Sequence, residues 1–308
     1  YSFEFYPFLS IVCLTSCRFQ VMFHMWNMVN QQISSALHSD FEFTDKKQLA
    51  SHNKEKLYKI CDDKHTYLVK VDRLTALERF EAQAHSLDLL TRDSDFMIGD
   101  TITIGSSLDF SFMVLEWLDT EQSTPNWHNC GALLAKMHQR HEQEMFGLEH
   151  DNYIQQVLQP NQWHKKWETF FAEDRIGWQL QLLAEKGIML VNIDEFVALI
   201  KTLLPHHVQP SLLHGHFWSG NIAFNQDKPC LFNPACYYGD SEVDIAMAEL
   251  YTPLPVAFYT GYNTVKPAKQ ERTLQKAIYQ LYPILLSANL FAGDYLYQAK
   301  QRIQEILK

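Results

Sequence analysis

The chain has 308 residues, of which 46% are hydrophobic and 20% charged, a composition typical of a globular and not of a disordered protein. This length fits two lobes better than one compact core. The formal net charge of −10 argues against a general nucleic-acid binder, because such a protein needs a basic surface to neutralise phosphates.

Residues 1–24 are mostly apolar and aromatic, yet they match neither a signal peptide nor a membrane span. Their first charged side chain is acidic, whereas a signal peptide begins with basic residues. Pro7, Ser10 and Arg18 break the apolar run, which leaves it too short to cross a membrane. We therefore predict an extension outside the folded core, or residues upstream of a start at Met25, and no association with a membrane.

The six cysteines have neither metal-site nor redox spacing. The sequence contains no C-x-x-C pair and no Cys/His group with the spacing of a zinc site. Disulfide frameworks are typical of small secreted proteins. We therefore expect reduced thiols and a cytoplasmic protein.

The first part of the chain, residues 25–118, is predicted to form a β-rich N-lobe. Apolar residues recur with helical spacing in two segments, and short apolar runs bounded by turns predict four strands. The predicted helices span 25–37 and 75–90, and the predicted strands span 56–61, 66–71, 101–104 and 110–118.

Residues 119–308 are predicted to form a helical C-lobe. Helical periodicity covers four segments, namely 130–141, 163–185, 193–204 and the last 40 residues. Only one hairpin interrupts them, with strands at 221–224 and 229–232. The fold class predicted from this pattern is α+β, with the small β-rich lobe and larger helical lobe of a protein kinase.

Residues 212–221 carry the chemical signal and have the sequence Leu-Leu-His-Gly-His-Phe-Trp-Ser-Gly-Asn. Kinase-like phosphotransferases place a catalytic base five residues before an Asn that binds magnesium. His216 and Asn221 have this spacing. A second block, residues 232–246, follows where the metal-binding aspartate segment of such enzymes is expected.

The block from Leu212 to Leu250 resembles the fructosamine (ketosamine) 3-kinase family, whose relatives are the aminoglycoside and choline kinases. The family signature is H-G-D-L-W-S-G-N followed by F-D-P-A-C-Y-Y-G-D-R-E-x-D-x-A-M, and weaker matches extend from Met25 to the C-terminus. The resemblance implies a protein-kinase-like fold, ATP and Mg²⁺ as cofactors, and phosphorylation of the sugar 3-hydroxyl of ketosamines, including glycated lysines. The expected partner is a small molecule and not a nucleic acid, and we expect a monomer.

The resemblance assigns roles to individual residues. Nucleotide binding is assigned to Lys70, Gln83, and the hinge residues Glu116 and Leu118. The catalytic base is His216, the metal ligands are Asn221 and Asn233, and the supporting residues are His214 and Asp244, whose carboxylate is expected to accept hydrogen bonds from the catalytic loop. The expected substrate-cleft residues are Asp240, Trp218 and Trp163.

Ordinary structural roles are alternatives for the three cleft residues. Asp240 could lie on a solvated turn, and Trp218 could pack beneath the catalytic loop. Trp163 could form a core stripe with Trp167, four residues further along a helix.

Four positions depart from the family pattern. His216 and Asn233 stand where the family has aspartates, and Gln83 stands where it has the glutamate that pairs with the lysine. The phosphate-covering loop, residues 49–56, contains no glycine, although glycines let backbone N–H groups approach phosphates. Three hypotheses follow: a ketosamine kinase with degenerate catalytic residues, a pseudokinase that keeps the fold and ligand cleft, and a phosphotransferase with a different acceptor hydroxyl.

Overall fold

The computed structural model describes residues 8–52, 54–120, 124–250, 252–267 and 273–308. The chain divides into two compact units. The first comprises Tyr1–Ala84 and Gly99–Leu118, and the second comprises His85–Ile98 and Asp119–Lys308.

The first unit is built on an antiparallel sheet with the strand order β1-β2-β3-β5-β4. Its strands are β1 (Asp45–His52), β2 (Glu55–Cys61), β3 (Thr66–Arg73), β4 (Thr101–Ser107) and β5 (Phe110–Glu116). The predicted hairpin of β2 and β3 and the predicted strands β4 and β5 are confirmed. Strand β1 is the one that sequence periodicity missed.

Two helices accompany this sheet, α1 (Phe8–Leu37) and α2 (Leu77–Asp93). The predicted helix at 25–37 is therefore the second half of a longer one. Met25, Trp26 and Val29 of α1 are buried in the main apolar cluster of this unit, and Met22 packs against it. Residues 8–24 thus continue helix α1, while residues 1–7 of the predicted extension lie outside the described part of the chain.

Strand β3 separates an apolar face of the sheet from a charged one. Successive side chains of a strand point to opposite faces. Tyr67, Val69 and Val71 belong to the apolar cluster that contains α1, whereas Lys70 and Asp72 contact side chains of α2. This alternation places a lysine and a carboxylate next to each other against α2.

The second unit is mainly helical. The helices are α3 (Trp127–His138), α4 (Trp167–Phe170), α5 (Trp178–Glu185), α6 (Ile193–Leu203), α7 (Glu242–Ala248), α8 (Val256–Val265), α9 (Thr273–Phe291) and α10 (Asp294–Ile306). A π-helical segment, Phe171–Gly177, joins α4 to α5. Helix α9 lies in the core, with Ile278, Leu281 and Leu285 fully buried.

Three antiparallel two-stranded ribbons complete the second unit. They pair β6 (Asn152–Ile154) with β7 (Val157–Gln159), β8 (Ser211–Leu213) with β11 (Tyr237–Gly239), and β9 (Ile222–Asn225) with β10 (Lys228–Leu231). The β9–β10 hairpin was predicted. The other two ribbons have strands of three residues, too short to produce a periodic pattern.

None of the helices among the described residues combines the length and the apolar character that a membrane crossing requires. Cys61, Cys130, Cys230 and Cys236 carry free thiols.

Candidate active site

Strands β8 and β11 bring together the two blocks of the family signature, residues 212–221 and 232–246. Tyr237 pairs with Leu213, and the backbone N–H of Ala235 donates to the carbonyl of His214 at 2.9 Å. Gly215 has φ +75°, and a Cβ added there would lie 2.0 Å from the carbonyl oxygen of Ala235. Only glycine allows the two chain segments to pass this closely.

Asp244, in the first turn of α7, anchors the loop that follows β8. Its carboxylate accepts the backbone N–H groups of His214 at 2.8 Å and Gly215 at 3.0 Å. It also contacts His138 Nε2 at 3.2 Å, and Nδ1 of that ring lies 2.9 Å from the hydroxyl of Tyr262. Because Asp244 and His138 are fully buried, each of these bonds replaces water that the groups lose on folding.

His214 is held as a neutral imidazole. Its Nδ1 accepts the backbone N–H of His216 at 3.2 Å, so the proton sits on Nε2, which donates to the carbonyl of Phe232 at 3.1 Å. Burial lowers the pKa of His214 to about 4. Through these two hydrogen bonds, the His214 ring links the loop at His216 to Phe232 of the second block.

His216, at the position of the catalytic base, is half-buried. Burial, with a smaller contribution from the nearby His214, lowers the pKa of His216 to about 3, and a hydrogen bond to the Asn233 backbone opposes this shift in part. The ring is thus neutral at physiological pH. A neutral imidazole brings no negative charge to this position, unlike the aspartate of the family.

Asn221 and Asn233 form an amide pair. Asn233 Nδ2 donates to Asn221 Oδ1 at 3.0 Å, and Asn221 Nδ2 donates to the carbonyl of His216 at 2.9 Å. Asn233 has φ +50°, a left-handed conformation that asparagine tolerates. Both polar groups of the nearly buried Asn221 side chain are therefore engaged within the protein.

These residues do not fit a magnesium ion. Magnesium in phosphoryl-transfer sites is held by one or two carboxylates together with substrate phosphates. Asn221 and Asn233 offer only neutral amides, and the Asn221 oxygen faces an N–H donor. Within the described residues, His, Cys, Asp and Glu side chains form no group of three that could hold a metal.

Lys70 lies on the α2-facing side of β3 and is only 4% exposed. Its Nζ donates to Gln83 Oε1 at 3.0 Å. Lys70 and Gln83, which were predicted to act together, are thus joined by a hydrogen bond. Its acceptor is a neutral amide and not a carboxylate. Burial lowers the pKa of Lys70.

The predicted hinge and phosphate-covering residues occupy the ends of strands. Glu116 is the exposed last residue of β5, and its backbone N–H donates to Asp100 at 2.9 Å, while Leu118 follows two residues later, half-buried. Residues 49–56 form the end of β1 and the start of β2, where His52 pairs with Glu55. Asn53 of this stretch lies outside the described residues.

Of the three predicted cleft residues, Asp240 is the most deeply buried. Asp240 is 1% exposed, and its carboxylate accepts Tyr279 OH at 2.8 Å, Gln275 Nε2 at 3.1 Å and the Glu242 N–H at 3.1 Å. The alternative of a solvated turn for Asp240 is therefore wrong, because its carboxylate is buried among these three donors.

Trp218 and Trp163 are both more exposed to solvent than Asp240. Trp218 is 39% exposed; its ring lies 6.3 Å from the His216 ring, and a Cβ added at Gly220 would lie 2.4 Å from it. Trp163 is half-buried and precedes α4, so it shares no helical stripe with the buried Trp167. The Trp163 ring instead lies 6.2 Å from that of Tyr238.

Buried amides of the β6–β7 ribbon, which carried no predicted role, support the segment after Asn233. Asn152 Nδ2 donates to the carbonyl of Cys236 at 2.7 Å, and Gln159 Nε2 donates to that of Ala235 at 3.2 Å. Tyr282 OH donates to Gln159 Oε1 at 2.7 Å. The family-like order of residues 151–154 and 159–161 is the sequence signal that could have found them.

Comparison with known proteins gives one consistent assignment. The family model described as fructosamine kinase matches residues 25–308. A probable ketoamine kinase of Vibrio parahaemolyticus is 44% identical over 286 residues, which cover 92% of this chain and 99% of that protein. A probable ketoamine kinase of Escherichia coli K12 is 38% identical over 285 residues, with the same coverage.

Solved structures agree with this assignment. A candidate fructosamine-3-kinase of Haemophilus somnus has a TM-score of 0.89 and 32% identity, covering 94% of this chain and 100% of that one. The aminoglycoside phosphotransferase APH(4)-Ia, with a TM-score of 0.57 and 15% identity, covers 91% of this chain and 97% of its own and shares the fold alone. A variant of that phosphotransferase was solved with ADP and hygromycin B. The α+β, kinase-like fold class is thereby confirmed, and the chain belongs to the fructosamine kinase family.

Proposed function

We propose that this chain is a pseudokinase of the ketosamine kinase type, which binds ATP and a ketosamine but does not transfer phosphate to the sugar 3-hydroxyl. The observation that carries the proposal is the hydrogen bond from Asn233 Nδ2 to Asn221 Oδ1 at 3.0 Å. It occupies the oxygen that kinases offer to magnesium, and it places a neutral amide where a carboxylate is required.

The state of His216 also supports loss of catalysis. General-base catalysis contributes about 10²–10⁴-fold to the rate, which corresponds to about 3–5 kcal/mol of the activation barrier. The neutral His216 ring lacks the negative charge of the aspartate that the family has at this position. Two catalytic contributions, proton abstraction and charge neutralisation, are thus weakened in one loop.

Retention of ligand binding is supported by family membership and by the preserved lysine. Relatives over nearly the whole chain are named probable ketoamine kinases, and kinases of this fold use ATP. We therefore propose small ketosamines or glycated lysines as ligands. We also propose a monomer in the cytoplasm, a location with which the free thiols are compatible.

A weakly active ketosamine kinase is the second candidate, and the intact shape of the catalytic loop favours it. Asn221 Nδ2 binds the His216 carbonyl at 2.9 Å, and Asp244 anchors the start of the loop. A neutral His216 ring can accept the proton of a sugar hydroxyl. In this case the acceptor is the 3-hydroxyl of a ketosamine or another hydroxyl of a related compound.

The deciding experiment measures ATP turnover with a ribulosamine acceptor and magnesium. We expect wild-type protein to bind ATP without phosphorylating the acceptor, and the His216→Asp/Asn233→Asp variant, with Gln83→Glu where needed, to gain turnover. Asn225→Asp, which adds one negative charge at the end of β9, is the control and should remain inactive. Wild-type turnover in the ordinary kinase range of roughly 1–100 s⁻¹ would overturn the proposal.

A further inference from the structure

A cluster of two carboxylates and a second cation accompanies Lys70 in the first unit. Arg79 bridges the carboxylates: its NH1 lies 2.6 Å from Glu55 Oε2 and its NH2 lies 2.6 Å from Asp72 Oδ2. The three side chains are 18% or less exposed. Ion pairs sequestered to this extent are screened by solvent far less than surface pairs.

The strand register places Glu55 on the same face as Lys70. Lys56 of β2 pairs with Val71 of β3, so Glu55 stands opposite Asp72, one position further. Residues opposite each other share a face of the sheet, as do residues two apart on a strand. Glu55, Asp72 and Lys70 therefore project together toward α2.

Helix α2 presents the matching residues from one side. Arg79 and Gln83 are four residues apart and so lie on the same helical face. Arg79 contacts the two carboxylates, and Gln83 Oε1 accepts from Lys70 Nζ at 3.0 Å. Helix α2 thus contributes the Arg79 cation to the two carboxylates. To Lys70 it contributes only the neutral side-chain oxygen of Gln83.

A buried ammonium group needs negative charge nearby, because burial otherwise favours its neutral form. In kinases that charge comes from a glutamate on the corresponding helix. Here Gln83 supplies none, and the nearby anions come from the strands. Glu55 and Asp72 together balance the charges of Lys70 and Arg79.

We propose that Glu55, oriented by Arg79, is a positioning residue that keeps Lys70 charged for nucleotide phosphates in place of the absent helix carboxylate. The inference deepens the proposed function and rests on it, because Lys70 is the residue assigned to nucleotide binding.

The electrostatics of the first unit agree with this geometry. Burial lowers the pKa of Lys70, Glu55 raises that pKa, and Arg79 lowers it. Asp72 is the neighbouring carboxylate on the same strand. On the other side of β3, the β5 residue paired with Lys70 is Met113, which carries no charge.

The test titrates Lys70 directly in the full-length protein without nucleotide. Lysine labelled with ¹³C and ¹⁵N reports the Nζ titration between about pH 6.5 and 10.5, a range around the reference lysine pKa, and Lys70→Arg assigns the signal. Glu55→Gln is compared with the double variant Glu55→Gln/Gln83→Glu. Glu81→Gln removes the same charge from an exposed position of α2 and is the control.

We expect Glu55→Gln to lower the titration midpoint of Lys70 by about one pH unit. The double variant should restore the midpoint, and Glu81→Gln should leave it unchanged. At a pH above both midpoints, ATP affinity measured by calorimetry in EDTA should fall about tenfold in Glu55→Gln, in proportion to the charged fraction of Lys70.

An unchanged Lys70 midpoint in folded Glu55→Gln would overturn the inference. If that variant does not fold, Glu55→Asp serves instead, because its shorter side chain withdraws the charge from Lys70; a midpoint that stays in place would again overturn the inference. A shifted midpoint combined with no ATP binding by the wild-type protein would keep the inference and reject the proposed nucleotide binding, so the two failures are distinguishable.

Discussion

The side-chain amide of Asn233 donates a hydrogen bond to the amide oxygen of Asn221 across 3.0 Å. A carboxylate at position 233 could not make this bond, because it has no N–H to donate. At the predicted metal position, the side-chain oxygen of Asn221 thus faces an N–H donor. This contact is the basis of the first two predictions.

Asn233→Asp should create a magnesium-dependent response to ATP. The substitution removes the amide donor, leaves Asn221 Oδ1 available and adds an anionic oxygen, and aspartate tolerates the left-handed backbone of this position. We expect magnesium to strengthen ATP binding by roughly fivefold or more in the variant, and to change it little in the wild type. Thermal shift and calorimetry with magnesium or EDTA measure both, and Asn225→Asp should behave as wild type.

His216→Asp, made in the Asn233→Asp background, should raise turnover by about 10²–10⁴-fold over Asn233→Asp alone. The reason is that a carboxylate restores the family's base and brings a second anion to the loop. Single-turnover assays with a ribulosamine separate this gain from changes in ligand binding. Equal rates for the single and double variants would show that position 216 does not limit the reaction.

Acidification should destabilise the protein before its carboxylates are protonated. The folded pKa of His214, about 4, lies below its unfolded value of about 6.5, so the unfolded state binds more protons between these values. The free energy of unfolding is therefore highest above about pH 6.5 and decreases as the pH falls. Between pH 7 and pH 5, His214 alone lowers it by about 2 kcal/mol. The lowered pKa of the buried His138 acts in the same direction.

Urea unfolding at several pH values between 7 and 5 measures this loss. His214→Gln should show a flatter dependence of the unfolding free energy on pH than the wild-type protein. A stability that stays constant or increases toward pH 5 would contradict the assignment of His214 as a buried neutral ring.

Asp244→Asn should reduce the free energy of unfolding by about 3 kcal/mol, because buried N–H groups of the catalytic loop lose a charged acceptor. Asp88→Asn, at an exposed position of α2, should change it by less than about 0.5 kcal/mol. Chemical denaturation compares the two variants. A similar small effect at both positions would mean that Asp244 does not anchor the loop.

Much of the fold was predictable from local patterns. Alternation and turn residues located β2 and β3, and apolar residues at helical spacing located α2, because these periodicities follow directly from backbone geometry. The ribbon of β8 and β11 was missed, since each strand has three residues and its pairing joins segments far apart in the chain. The buried position of Asp240 was missed for a similar reason: its main partner, Tyr279, lies 39 residues away.

The sequence by itself determined the two-part α+β plan, the spacing of His216 and Asn221, and the loss of a carboxylate at positions 83, 216 and 233. Only the tertiary structure decided what surrounds those positions: an amide pair of Asn221 and Asn233, and a strand glutamate, Glu55, paired with Arg79 on the sheet face that carries Lys70. Residue identity sets which charges and donors exist. Which of them meet is set by strand register and helix packing, and the strength of each contact depends on burial that no local pattern records.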